Sequence, residues 1–263
     1  MTRLRDQMQP ASKLRYLAWR AGLLGDEVIV CLATGERLLL QKSMLFGLGV
    51  AYEIFVEEAY RPPRAIVPGL IRRIVDIGAN VGLTICYWAV RFPNAQIDAI
   101  EPFPAHLATL RKTIRLNNLD RRVTVYPVAA GVSAGVCEVV NAGVCSTVVG
   151  ERHLLGAAAN LERSRVPVVD IFEMIGSSHV DLLKIDCEGA EHEILMDSRF
   201  GNLDVDNLVL EWHATEEHPE ADRDIIARLR GLQWAVEPIS NDSVNTLDGL
   251  GCLRAGMLWG FRR

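Results

Sequence analysis

The sequence predicts an α/β fold: a Rossmann-like, seven-stranded, mostly parallel sheet preceded by a helix-and-hairpin extension. Three observations carry this expectation. From residue 71 onward, short apolar runs alternate with helical patterns, which implies strand–helix–strand units and a parallel sheet. The run Ile74-Val75-Asp76-Ile77-Gly78-Ala79-Asn80-Val81-Gly82 reads as a strand, a glycine-framed turn and a helix start. Such a turn is where an open parallel sheet meets a nucleotide-like ligand. Asp76, Glu101 and Asp186 end successive strands and Glu211 lies near the end of another, all at the carboxyl edge where open sheets bind ligands.

The bulk composition suits this architecture. The 263 residues are 49% apolar and 23% charged, enough for one large α/β domain with an extension. A net charge of −5 argues against nucleic acid as the main partner, because phosphate binding normally needs a basic face. Cys31, Cys86, Cys137, Cys145, Cys187 and Cys252 form no Cys-x-x-Cys pair and read as reduced residues of a cytoplasmic protein. No apolar run approaches the roughly 18 residues of a transmembrane helix. The first residues lack the apolar core and cleavage site of a signal peptide.

Along the chain, residues 1–25 carry Arg3, Arg5, Lys13, Arg15 and Arg20 against Asp6. Leu14, Leu17, Ala18, Ala21 and Leu24 recur there at helical spacing. One reading is a basic amphipathic helix in weak contact with a membrane surface. The other is a helix packed on its own domain, favoured by a narrow stripe with no bulky anchor beyond Trp19. Residues 27–41 read as a hairpin turning at Thr34-Gly35-Glu36, and a helix over roughly 50–60 ends at Arg61-Pro62-Pro63. Strands follow at 71–77, 96–100 and 123–128, with helices at about 81–92 and 104–117. A hairpin is expected over 136–149, then a mobile stretch, a strand at 166–169 and a helix from Asp170. Strands at 180–186 and 207–212, a helix at 220–231 and strands near 233–238 and 257–262 complete the pattern.

The first loop points to its ligand. Gly78 and Gly82 let the backbone turn tightly and approach a ligand. Dinucleotide sites use Gly-x-Gly-x-x-Gly to lay N–H groups on a pyrophosphate. Here Asp76 stands at the loop mouth and Asn80 replaces a glycine. A carboxylate repels phosphate and attracts a cation, which suits S-adenosylmethionine, a ligand with an ammonium, a sulfonium and no phosphate. Glu101, 19 residues beyond Gly82, can accept both ribose hydroxyls. Phe103 is either an adenine-stacking ring or a core aromatic.

The second motif is Lys184-Ile185-Asp186-Cys187-Glu188-Gly189-Ala190-Glu191. Glu188 and Glu191 favour the positive start of the next helix, and Asp186 faces the ligand across the switch point. Third is Glu211-Trp212-His213, which sets a histidine at a strand tip as candidate general base. His106, His153, His179, His192 and His218 read as surface residues. Asp186, Glu188, Glu211 and His213 supply metal-type donors, but their spacing matches no known metal motif, so a divalent metal is not favoured.

Taken together, Val75 to Gly82, Glu101-Pro102, Lys184 to Glu191 and Glu211-x-His213 resemble the FkbM family of S-adenosylmethionine-dependent methyltransferases over residues 70–240. The resemblance implies a class I methyltransferase fold and O-methylation of a hydroxyl on a sugar, glycolipid or polyketide-type natural product. It implies that Asp76, Gly78, Asn80, Glu101 and Asp186 line the cofactor site, to which the reading of the loop adds Gly82 and the stacking reading Phe103. It sets His213, Asp186, Glu188 and Glu211 on the catalytic side, with Glu191 beside them. Residues 69–263 would form the catalytic domain and 1–68 an extension capping the acceptor side. Two other classes stand beside it: a non-catalytic S-adenosylmethionine-binding partner, and an NAD-dependent oxidoreductase, against which the missing Gly-x-Gly-x-x-Gly weighs.

Overall fold

The computed structural model describes residues 3–42, 45–140, 147–149, 163–187, 189–243 and 252–262. Helix α1, Pro10–Arg20, opens on a proline, whose missing N–H costs nothing in a first turn. Strands β1 (Glu27–Cys31) and β2 (Arg37–Gln41) pair as an antiparallel hairpin, Glu27 opposite Gln41. Helix α2, Leu45–Tyr52, continues into a π-helical turn, Glu53–Glu57. The sequence puts the stop at the proline pair, but the helix ends sooner. Glu58 turns left-handed (φ 53°), and Arg61 and Arg91 each lie 3.2 Å from its carboxylate.

The rest alternates as expected. β3 (Arg73–Ile77), α3 (Leu83–Arg91), β4 (Gln96–Ile100), α4 (Pro104–Leu116) and β5 (Val123–Tyr126) come first. Next are β6 (Ala129–Gly131), β7 (Gly135–Val140), β8 (Thr147–Val149), β9 (Arg163–Asp170) and α5 (Ile171–Ile175). Last come β10 (Val180–Ile185), α6 (Glu191–Met196), β11 (Val205–Thr215), α7 (Ala221–Gly231), β12 (Trp234–Ser243) and β13 (Cys252–Arg262).

The main sheet has seven strands in the order β12-β13-β11-β10-β3-β4-β5. β5, β4, β3, β10 and β11 are parallel, and β13 runs antiparallel between β11 and β12. The strand order reverses between β3 and β10, which makes the carboxyl ends of those two strands the switch point. β6 to β9 form a separate four-stranded sheet, and the strand expected at 166–169 belongs there. The expected hairpin is present, with Val139 opposite Val148; residues 141–146 and 150–162, including most of the stretch read as mobile, lie outside the described residues.

The period of two along the strands divides the core. Ile74, Ile97, Leu182 and Val209 pack on one face with Trp88, Phe92, Leu110 and the extension's Trp19, Leu38 and Ile54. Val75, Ile100, Leu183 and Leu208 pack on the other with Phe172, Leu195, Ile225 and Leu229. Helix α1 does pack on its own domain, but not through the stripe read from the sequence. Ser12 and Trp19 are its buried residues; Trp19 Nε1 donates to Asp26 O at 2.9 Å and Cys31 N to Ser12 Oγ at 2.8 Å. Among the described residues no helix is long and apolar enough to cross a membrane.

One glycine joins the halves of the sheet. Gly78 has φ 80°, and a Cβ there would lie 1.7 Å from the Asp186 carbonyl oxygen. Asp186 N–H donates to Ile77 O at 3.1 Å across the same gap. Gly78→Ala should therefore cost at least about 2 kcal/mol from positive φ and overpacking combined. A urea midpoint equal to that of the parent would show that this close approach is not obligatory.

Candidate active site

Lys184 and Asp76 face each other in register on β10 and β3. Lys184 is 1% exposed and Asp76 is 0% exposed. The ammonium lies 3.1 Å from Asp76 Oδ1 and 3.2 Å from Asp186 Oδ2. It donates to Gly78 O at 2.8 Å and Ile77 O at 3.2 Å. Burial opposes its charge, but Asp186 and Asp76 outweigh burial and raise its pKa. Burial pushes Asp76 up, while Lys184 and the Thr84 hydroxyl, donating at 2.9 Å, pull it back. Asp76 is thus not at the loop mouth, where the sequence reading put it. It sits inside β3, and its charge is matched by a lysine that reading treated as part of an apolar strand.

Glu101 follows β4 and is 4% exposed, so it is not a solvated turn acid. Its Oε2 accepts the Asn80 N–H and its Oε1 the Phe103 N–H, both at 2.8 Å. Asn80 holds φ 49°, a left-handed value that asparagine tolerates better than most side chains. Gly82, at φ 85°, caps α3 so close to α4 that a Cβ would meet Leu110 at 2.7 Å. Phe103 is 1% exposed, in a small core with Ala129, Val139 and Val166. His106, read as a surface residue, is 2% exposed, and its Nδ1 lies 3.3 Å from Glu101 Oε1. His179 and His192 also have acids beside them, at Asp204 (3.1 Å) and Asp224 (3.6 Å). His153 and Glu188 lie outside the described residues.

Beyond β10 the acids part into roles. Glu191, at the start of α6, is 1% exposed. Its Oε1 accepts the Cys187 N–H at 2.8 Å and its Oε2 the Gly189 N–H at 2.9 Å. His213 Nδ1, from β11, lies 3.2 Å from the same Oε1. Burial works against the Glu191 charge, but His213 and the N–H donors prevail and lower its pKa. An ionised carboxylate only accepts, so the hydrogen shared at this contact is carried by His213 Nδ1 and points at Glu191. Nε2 is 3.8 Å from Glu211 Oε1. Donor atoms of Asp186, Glu191 and His213 all lie within 4.8 Å of one another. Glu191 is thus tied by both oxygens to the backbone of the turn after β10 and by Oε1 to His213.

The extension reaches this cluster. Tyr60, 4% exposed, donates to Asp186 Oδ2 at 3.4 Å and stands edge-on to Trp88. Burial and then the charges of Asp186 and Glu57 push Glu53, on the π-helical turn, up to about 7. Neither residue carries a sequence signal, because each lies more than a hundred positions from Asp186. Among the described residues, Asp76 and Asp186 face the Lys184 ammonium, and Glu191 and Glu211 face the His213 ring. That surplus of carboxylate suits a cationic ligand without phosphate, so the residues fit S-adenosylmethionine.

Two outcomes follow from this network. Lys184→Met leaves Asp76 buried beside no cation and should cost about 3–5 kcal/mol in urea unfolding. Adding Asp76→Asn should restore part of that loss; a double variant no more stable than the single would refute the pairing. Glu191 has a folded pKa below its unfolded value of about 4.3. Its stabilising contribution is complete above that pH and fades as pH falls through the lower folded value. In Glu191→Gln, stability should therefore fall less steeply with acid, and an identical acid limb would contradict the assignment.

The sequence profile of the methyltransferase FkbM domain matches residues 76–233, which take in Asp76, Glu101, Lys184, Asp186, Glu191, Glu211 and His213. A protein named Methyltransferase 1, from Beauveria bassiana (strain ARSEF 2860), is 28% identical over 160 residues, covering 52% of this chain and 63% of the relative. The chain thus matches less than two thirds of that relative's length. The crystal structure of a methyltransferase FkbM from Methylobacillus flagellatus KT superposes with a TM-score of 0.50 at 16% identity, over 80% of this chain and 48% of that one. P. horikoshii TYW2, solved in complex with MeSAdo, superposes with a TM-score of 0.52 at 15% identity, over 97% and 86%. These likenesses speak for the fold, the class I methyltransferase fold. The profile covers more than half of the residues, and the chain belongs to the methyltransferase FkbM domain family.

Proposed function

We propose that this protein is an S-adenosylmethionine-dependent O-methyltransferase acting on a hydroxyl of a sugar, glycolipid or polyketide-type natural product. The observation that carries this reading is the buried Glu191–His213 pair beside Asp186 at the switch point. A hydroxyl is a poor nucleophile until its proton leaves, and a histidine held in one tautomer by a carboxylate is built to accept that proton. When bound, S-adenosylmethionine supplies a methyl carbon made electrophilic by its sulfonium. His213 Nε2 takes the acceptor proton, and Glu191 stabilises the imidazolium that results. Family membership supports the reaction class, and the complex of P. horikoshii TYW2 with MeSAdo supports an adenosyl ligand in such a fold.

The remaining residues fall around that step. Glu101 has acceptor capacity left for ribose hydroxyls, since an ionised carboxylate offers about four lone-pair sites. Asp186, half-buried, meets the ammonium or orients the acceptor. Gly78, Asn80 and Gly82 shape the backbone under the cofactor, and Asp76 acts through Lys184. Glu211, Tyr60 and Glu53 stand on the acceptor side, which residues 1–68 would cap. The acidic turn after β10 replaces the Asn/Asp-Pro-Pro turn of many amino-group methyltransferases, which favours oxygen over nitrogen as acceptor. Cysteine usage favours the cytoplasm.

The test is calorimetric binding of S-adenosylhomocysteine, with NAD as control, then methyl transfer to a panel of hydroxyl acceptors. Binding of NAD in place of S-adenosylhomocysteine would refute the reading. His213→Asn should lower kcat roughly 10²–10⁴-fold at unchanged S-adenosylhomocysteine affinity. Full turnover in that variant would remove His213 as the base.

A further inference from the structure

Helix α1 turns an apolar face away from the protein. At about 100° per residue, Ser12, Tyr16 and Trp19 share one side of the helix. Ser12 and Trp19 are buried, and Tyr16 packs against the core. Leu14, Leu17 and Ala18 lie on the opposite side, flanked by Lys13 and Arg20 along one edge and Arg15 along the other. Leu14 is 73% exposed and Leu17 46%. The turn after the helix adds Leu23 at 77% and Leu24 at 39%.

That turn is ordered. Leu23 N donates to Ala18 O at 2.9 Å, Gly22 N to Trp19 O at 3.1 Å, and Lys42 Nζ to Leu24 O at 2.9 Å. The leucines are therefore held outward by a folded scaffold. Scattered surface leucines need no account, but these fall within one helix and its turn, and clustered exposed apolar residues mark an interaction site.

Charge identifies the occupant. The chain as a whole carries −5, yet residues 3–25 carry Arg3, Arg5, Lys13, Arg15 and Arg20 against Asp6. An apolar crest edged by Lys and Arg is the pattern of a helix lying in a lipid interface, with leucines at the acyl boundary and basic heads reaching phosphate. A second copy docked crest to crest would set the same Lys and Arg edges against each other, whereas an anionic lipid surface meets both the crest and its basic edges. We propose that α1 and its following turn dock the protein on an anionic membrane surface.

The intact protein is floated with vesicles of phosphatidylcholine containing ~30% phosphatidylserine, and with phosphatidylcholine alone, at low salt and at ~0.5 M salt. The expected result is binding to the anionic vesicles that falls with salt. Leu14→Gln/Leu17→Gln should lower it roughly tenfold while Tm and S-adenosylhomocysteine affinity stay at parent values. Absence of anionic preference, or equal binding by the double variant, overturns the proposal. A dimer seen by light scattering and lost in the double variant, with no vesicle binding, assigns the face to a second copy instead. None of these outcomes depends on methyl transfer, so this proposal and the catalytic one fail separately.

Discussion

A buried ammonium holds the centre of this protein together. Lys184 sits between two parallel strands with carboxylates on both sides and two backbone carbonyls of the Gly78 loop as further acceptors. Removing a lysine and an aspartate from water costs several kcal/mol each, so the network adds little net stability over an apolar pair. What it adds is geometry. It fixes β10 against β3, and with them the approach of the Gly78 loop to Asp186. A register slip of one residue would send the lysine to the other face of the sheet, where apolar side chains pack.

From that arrangement the acids take different characters. Glu191 is as buried as Asp76, yet N–H donors and His213 keep it ionised, whereas burial raises Asp76. Burial first, and then the charges of Asp186 and Glu57, push Glu53 up to about 7. Identical carboxyl groups thus become a histidine orienter, a lysine counter-ion and a weak acid, according to burial and neighbours. In the proposed reaction the cationic ligand calls for net negative charge, and proton transfer calls for one histidine in one tautomer.

The extension belongs to the same construction. Its Trp19, Leu38 and Ile54 share a core with α3 and the sheet, and Tyr60 closes against Trp88 and Asp186. Ser12 and Trp19 turn α1 so that one side is anchored and the other, leucine-rich, side is presented outward. One segment therefore lines the cluster at one end and offers a surface at the other.

Features set by neighbours in sequence were legible from it. The alternation of strand and helix, the Gly78–Gly82 turn, the Asp170 helix start and the acids at Glu101 and Asp186 depend on local backbone preference and side-chain period, which a linear string records. Pairings across the fold were not. Lys184 looked like one charge in an apolar strand until β3 set Asp76 opposite it. His106 looked exposed until Glu101 came to lie beside it. Glu191 and His213, 22 residues apart, met because α6 and β11 return to the same sheet edge. The stripe on α1 was read correctly, but which side faced inward was not. By itself the sequence determined the elements, their order and the residue types at the strand ends. Only the tertiary structure decided which charges meet and which faces are buried, because burial and ion pairing are properties of distance in space, and the chain specifies those only after it has closed on itself.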